Sequence, residues 1–150
     1  VKDILEQIPE LPCLQFGSLD PAALNDDFIA LLCRYKNIDS HFHFSVQSGD
    51  NLILKRMGRR HSREDVINLC QKIRSVRPNA TFSADFICGF PTETEEAFAN
   101  TCKLVADAGL SKLHVFPYSE RKGTPAARMP QLPMEERRRR AAVLRDLSKE

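Results

Sequence analysis

Between residues 41 and 47 the chain alternates strictly, with Phe42, Phe44 and Val46 set against His41, His43, Ser45 and Gln47. Successive side chains of a strand point to opposite faces, so this stretch predicts one apolar face and one face of hydrogen-bonding groups. The pattern returns at 81–88, where Phe82, Ala84, Phe86 and Cys88 oppose Thr81, Ser83 and Asp85. It returns again at 112–117, with Leu113 and Val115 against His114 and Phe116. Residues 12–18, PCLQFGS, predict a further short strand, with Leu14 and Phe16 on one face and Gln15 and Gly17 on the other.

Helical periodicity fills the intervals. Asp20-Pro21 predicts an N-cap and a first-turn proline, followed by a stripe of Leu24, Phe28, Leu31 and Leu32. A short helical turn is expected near 50–56. Ser62 with Asp65 forms a capping-box pattern ahead of Val66, Leu69, Cys70, Ile73 and Val76, and Pro78 stops that helix. Thr92 with Glu95 is expected to cap the next one, which buries Phe98, Cys102 and Val105 and ends at Gly109. Residues 118–133 read as an irregular loop, and Pro133 opens an arginine-rich helix running to about 148.

Strands alternating with helices call for a parallel sheet with right-handed crossovers. Parallel strands covered on both sides are nearly all apolar, and these are half polar. The fold class expected is therefore α/β: a partial parallel (βα) barrel of about four βα units, its interior lined by polar groups, its site at the carboxyl ends of the strands. The competing architecture is an open sheet with one face in solvent.

Composition narrows the class without naming a function. The chain has 150 residues, 42% hydrophobic and 28% charged, as ordinary globular domains do. It holds no apolar run of membrane-spanning length, and its first residues, VKDILEQIPE, do not resemble a signal peptide, so a cytoplasmic location without membrane partners is expected. Residues 120–150 carry nine of the 22 Lys and Arg but five of the 20 Asp and Glu. The four arginines at 137–140 spread around a helix among acidic residues, so a salt-laced helix is expected in preference to a nucleic-acid stripe. Five cysteines, at 13, 33, 70, 88 and 102, lack CxxC spacing and are expected to be buried structural thiols.

Candidate chemistry gathers at the strand ends. Gly49 and Gly89 are candidates for positive φ and for close approach of the backbone to a ligand. Arg59 and Arg60 are candidates to hold a carboxylate in a two-pronged pair. Gln47 and Asp85 suit a polar ligand, and equally suit buried hydrogen-bonding roles. His41 and His43 have a spacing that can chelate, but no third ligand accompanies them and no metal is expected. There is no paired-carboxylate, Ser/His/Asp or phosphate-loop motif, and Lys112 stands at the wrong end of its strand for an aldolase-like lyase. On pattern alone the reading is a polar ligand in an α/β barrel.

Four segments, in order, carry a family resemblance. HFHFSVQSGDNLILKRMGRRHSRED resembles a strand with its QSG turn and LKRMxR helix in the radical S-adenosylmethionine methylthiotransferases, enzymes that insert a methylthio group into tRNA or a ribosomal protein. SADFICGFPTETEEAF is similar to the family's next strand with its GFPxET loop, HVFPYSERKGTPAARMP to the one after, and FGSLDP to the one before. The last loop most resembles the branch acting on threonylcarbamoyladenosine in tRNA. Two positions depart from the pattern: His61 stands where tyrosine is usual, and Thr92 where glycine is.

The resemblance implies an incomplete radical core domain over 1–150, comprising the third to sixth strands and the following helix. An amino-terminal cluster-binding domain and a carboxyl-terminal RNA-binding domain are then expected to be absent. The implied cofactors are S-adenosylmethionine and two [4Fe–4S] clusters whose CxxxCxxC-type ligands are not in this sequence, so the fragment is expected to be inactive; the implied partner is tRNA. Residue by residue, Ser45 and Gln47 match cofactor-facing positions, Arg59 the group for the cofactor's carboxylate, and Asp85 the acidic position near its ribose. The backbone at Val115 and Phe116 matches the position beside its adenine, with Tyr118 and Arg121 in the loop that follows.

Overall fold

A computed structural model describes Gln7 and residues 13–147. The sheet contains β1 (Ser18–Leu19), β2 (His41–Gln47), β3 (Thr81–Cys88) and β4 (Lys112–Pro117), all parallel and ordered as in the chain. Consecutive parallel neighbours of this kind wind in one direction, as in a barrel wall. The helices are α1 (Asp26–Arg34), α2 (Asn51–Arg56), α3 (Arg63–Val76), α4 (Glu95–Ala108) and α5 (Met134–Leu147).

One face of the sheet is dry. Phe42, Phe44, Val46, Phe82, Ala84 and Phe86 are fully buried, in one core with Leu32 of α1, Ile73 of α3, Leu104 of α4 and Leu144 of α5. The ring planes of Phe42 and Phe44 both lie near-parallel to that of Phe82, at 6.1 and 5.8 Å. The opposite face carries the alternate residues, so the predicted division holds in β2 from 41 to 46, and likewise along β3 and β4. No helix among the described residues is long and apolar enough to cross a membrane.

The first strand differs from its prediction. Of residues 12–18, Pro12 lies outside the described residues, and only Ser18–Leu19 joins the ladder, opposite His43 and Phe44. Leu14 makes an isolated bridge instead, donating to the Asn37 carbonyl (2.7 Å) and accepting from Asp39 (2.8 Å). Alternation foretold the side-chain faces but not which backbone would pair. Asp20 does cap Pro21, but only for a 3₁₀ turn, Pro21–Ala23; α1 has its own N-cap, Asn25. The cap of α4 is Thr94 rather than Thr92. The final helix ends at Leu147 within the described residues, and position 148 lies outside them.

Gly49 is used for packing. Its φ is not positive, and a β-carbon there would stand 2.6 Å from Thr101 Cα, so the close approach expected of a ligand is made by α4. Gly89 does have positive φ, 76°, but its close neighbour is Arg137 of α5. The cysteines divide: Cys70 and Cys88 are buried, with burial pushing both thiols up to about 12, whereas Cys13 and Cys33 are exposed and Cys102 is half-buried. The expectation of five buried thiols therefore fails at three positions.

Arg77, the residue before the Pro78 that stops α3, closes the end of α1. Its guanidinium is buried and donates to the carbonyls of Leu32, Tyr35 and Ile38, at 2.6–3.3 Å, and to Ser40 Oγ at 3.1 Å. A helix end leaves carbonyls unpaired and is negative, so a cation there satisfies both needs. Arg77→Ala strands these carbonyls away from water and should lower unfolding free energy by about 3 kcal/mol, read as a fall in the urea midpoint with unchanged slope.

Candidate functional site

The uncovered face collects the polar side chains at the carboxyl half of the strands. Register sets Ser45 opposite Asp85, and Asp85 opposite His114. At the end of β2 the pairing slips by one residue, because Gln47 rather than Val46 faces Phe86. Ser48 donates to the Val46 carbonyl at 3.0 Å across Gln47, whose φ is 75°. An i→i+2 bond over a residue of positive φ is a γ-turn, rare for a side chain larger than glycine and costly to hold. Its effect is to turn Gln47 back onto its own strand, where Nε2 donates to Ser45 Oγ at 2.9 Å.

Arg59 lies at the edge where β1 has stopped. One terminal nitrogen donates to the Ser45 carbonyl at 2.7 Å and reaches Asp20 Oδ1 at 3.5 Å. Its Nε is buried without a partner. His61 occupies the next carbonyl: Nε2 is 3.0 Å from Val46 O, while Nδ1 is unpartnered, with Asp20 Oδ1 at 4.0 Å. Arg59 and His61 thus close the end of β2 where, among the described residues, no neighbouring strand continues. Arg60 faces elsewhere, into an outer groove of about 370 Å³ shared with Leu24 and Lys72.

Asp85 is held by His43, with Nε2 to Oδ1 at 3.0 Å, and the His43 ring meets the His114 ring edge-on at 5.2 Å between centroids. Val115 points its side chain into the helical layer, and its carbonyl accepts from Arg145 at 2.7 Å. Phe116 lies on the open face and is 55% exposed. The structure therefore brings Ser45, Gln47, Arg59 and Asp85 to one face and end of the sheet, with Phe116 beside them and the Val115 side chain on the other side. Tyr118 is buried, and Arg121 is exposed in the loop that follows.

Above this face the three loops share a second core. Ile53 of α2, Phe90, Ala97 and Tyr118 pack together, with Met57, Ala126 and Met129 against them. Sequence reasoning treated these loops separately and missed Glu93, which ties the loop after β3 to α5. Its buried carboxylate accepts from Gly89 N at 2.9 Å and from Arg140 Nη1 at 2.9 Å. Burial pushes the Glu93 carboxyl above its ordinary range, against the pull of the Gly89 and Arg140 hydrogen bonds. The only sequence signal was an arginine recurring at i and i+3 in the last helix. Arg137 is likewise buried, donating to the Tyr118 carbonyl and to Glu120. Arg139 bridges Glu95 and Glu136, so the salt-laced reading of this helix holds at three of its four successive arginines. Among the described residues no group of three or more His, Cys, Asp or Glu is arranged to hold a metal ion.

Comparison with known proteins decides the family. The model of the radical SAM superfamily matches residues 16–105. The chain belongs to that superfamily. Threonylcarbamoyladenosine tRNA methylthiotransferase MtaB of Rickettsia prowazekii is 54% identical over 145 residues, covering 97% of this radical SAM chain and 34% of that protein. The tRNA-2-methylthio-N(6)-dimethylallyladenosine synthase of Oceanobacillus iheyensis is 44% identical over 119 residues, covering 79% and 23%. The chain thus spans about a third or less of these curated relatives. Coproporphyrinogen III oxidase (HemN) from Escherichia coli shares the fold, with a TM-score of 0.71 at 21% identity over 97% of this chain and 36% of its own.

His61 and Thr92 of this radical SAM chain each have a measurable consequence. Burial pushes the His61 imidazole below its ordinary 6.5, outweighing the Val46 hydrogen bond that raises it. The unfolded chain then takes up a proton before the folded one, so this contribution is complete above about pH 6.5 and is lost as pH falls below it. The stability advantage of the native chain over His61→Phe should therefore shrink between pH 7 and pH 5, as followed by urea unfolding at each pH. Thr92 holds φ at 72°, with its hydroxyl taken by Arg56. A β-branched residue is strained there, and relief of that strain exceeds glycine's entropic cost and the loss of an exposed hydrogen bond. Thr92→Gly should raise unfolding free energy by about 1 kcal/mol, measured by the same unfolding curves.

Proposed function

We propose that this chain is the later part of the radical barrel of a tRNA methylthiotransferase, an enzyme that adds a methylthio group to threonylcarbamoyladenosine next to the anticodon. The observation carrying the substrate is the 54% identity to the Rickettsia prowazekii enzyme across 97% of the chain. That exceeds the 44% shared with a dimethylallyladenosine synthase over a shorter stretch. The polar face supports an S-adenosylmethionine site: Ser45, Gln47 and Asp85 offer hydroxyl, amide and carboxylate groups side by side, and the orphaned Nε of Arg59 is a donor left over at its rim.

In this reading Arg59 holds the cofactor's carboxylate, Asp85 accepts from the ribose, and the backbone at Val115 and Phe116 lies along the adenine. S-adenosylmethionine supplies, when bound in the whole enzyme, the reactive fragment that takes a hydrogen from the substrate. The iron–sulfur clusters do not fit this chain's described residues, because Cys70 and Cys88 are buried with thiols held at about 12 and no ligand set surrounds them. The two [4Fe–4S] clusters of the whole enzyme accordingly have their ligands outside this segment, in a CxxxCxxC loop and an amino-terminal domain. The isolated chain is then inactive, and tRNA is the partner of the whole enzyme.

The parent reading frame tests this directly: reconstituted enzyme should thiomethylate tRNA bearing threonylcarbamoyladenosine and leave tRNA bearing dimethylallyladenosine unchanged, with the reverse preference refuting the substrate. Calorimetric titration of the 150-residue chain with S-adenosylmethionine should give a Kd weaker than about 1 mM, since a site without the iron loses several kcal/mol. Micromolar binding would show that the polar face holds the cofactor alone.

A further inference from the structure

Four polar side chains climb the open face below Asp85. Thr81 Oγ1 lies 2.7 Å from His41 Nδ1, and His41 Nε2 lies 3.2 Å from Ser83 Oγ. Ser83 Oγ lies 2.6 Å from His43 Nδ1, and His43 Nε2 lies 3.0 Å from Asp85 Oδ1. Thr81 and His41 are exposed at the amino-terminal edge of the sheet, Ser83 is buried, and Asp85 sits halfway up. The resemblance that singled out Ser45 and Asp85 left this ladder unused.

With both rings neutral, only one placement of protons satisfies every contact. An ionised Asp85 accepts only, so His43 Nε2 carries a hydrogen and its Nδ1 accepts. Ser83 has one proton, which goes to His43 Nδ1, so Ser83 can only accept from His41 Nε2. His41 Nδ1 then accepts from the Thr81 hydroxyl. All donors point toward the carboxylate, and the tautomers of the two imidazoles are coupled through a single serine.

We propose that this ladder is a proton path between solvent at the amino-terminal edge of the sheet and Asp85. A proton enters at His41 Nδ1 as the Thr81 hydroxyl turns away. The Nε2 proton of His41 passes to Ser83 Oγ, the Ser83 proton to His43 Nδ1, and the Nε2 proton of His43 to Asp85 Oδ1. Each N–H or O–H bond broken is matched by one formed, and Asp85 ends protonated with both rings neutral as Nδ1–H tautomers. Reversal returns a proton from the site to solvent. Among the described residues, Lys112 and His114 of β4, in register with Ser83 and Asp85, also lie on this face, with Arg59, His61 and Asp20 at the upper edge. None of these five interrupts the ladder. Its use in turnover rests on the proposed radical-barrel reading, in which substrate and cofactor close the upper mouth and leave the lower edge as the way for protons.

Nitrogen-15 spectra of the imidazoles in the full 150-residue chain, at a pH where both rings are neutral, test the path without cofactor or activity. Both His41 and His43 should be Nε2–H tautomers in about tenfold excess, the ratio a hydrogen bond at each nitrogen sustains. Ser83→Ala should lower that excess about fivefold at both rings together, and Thr81→Val, at the exposed end, should lower it at His41 without unfolding risk. An Nδ1–H form at either ring in the native chain overturns the path, and so does a Thr81→Val variant with His41 unchanged. A Ser83→Ala effect confined to one ring would also refute it. Failure of the whole enzyme to thiomethylate tRNA would instead count against the radical reading, leaving these spectra as they stand.

Discussion

The mouth of this half-barrel depends on one buried carboxylate. Glu93 is 3% exposed, and it is held by the Gly89 amide and by Arg140 from the last helix. Taking a carboxylate and a guanidinium out of water costs several kcal/mol per ion, and only good geometry with further hydrogen bonds offsets it. Here the geometry is supplied by the chain itself: the Arg140 Nη1 also reaches the Glu93 carbonyl at 2.8 Å, and its Nε is fixed by Glu136. Remove Arg140 and the buried Glu93 carboxylate is left with the Gly89 amide; remove Glu93 and Arg140 still has Glu136. The pair therefore commits α5 to a single seat against the loop after β3.

That commitment propagates. Gly89 has no side chain because Arg137 occupies the place where its β-carbon would be. Arg137 in turn holds the Tyr118 carbonyl and Glu120, and its guanidinium lies 5.4 Å over the Tyr118 ring. Tyr118 packs on Phe90, whose neighbours include Ile53 of the helix after β2. Three loops from three strands are thus fixed above the polar face by one small apolar cluster, with the Glu93–Arg140 and Arg137–Glu120 ion pairs seating α5 against two of them. Rigid support of this kind is what a loop-built site requires if its groups are to stay in place.

Legibility in the sequence followed the physics of each feature. Alternation reports faces, so the buried Phe42–Phe44–Val46 set and the polar Ser45 and Asp85 were readable from the chain alone. Caps that use local spacing, such as Ser62 with Asp65, were readable as well, and Gly109 was readable because a left-handed C-cap wants glycine. What depended on distant partners was not. Nothing in a local window says that Arg77 serves carbonyls some 40 residues away, or that Gly49 makes room for Thr101 rather than for a ligand. The γ-turn at Gln47 was equally hidden, since glutamine carries no signal for positive φ. Arg137 and Arg140 looked like part of a charge run because composition counts charges without saying which face bears them.

If the polar face is the proposed cofactor site, its ligand must bring more than complementarity to bind there. Gln47 is already satisfied by Ser45, Asp85 by His43, and Arg59 by a strand carbonyl. A hydrogen bond exchanged for another contributes little net free energy. The groups this chain offers can therefore orient a cofactor but gain little from it, apart from the unpaired Nε of Arg59. Strong attachment has to come from a charge or a metal that the sheet does not carry. On the proposed reading, a wall that orients its ligand but binds it weakly suits a site whose affinity resides in an iron centre elsewhere.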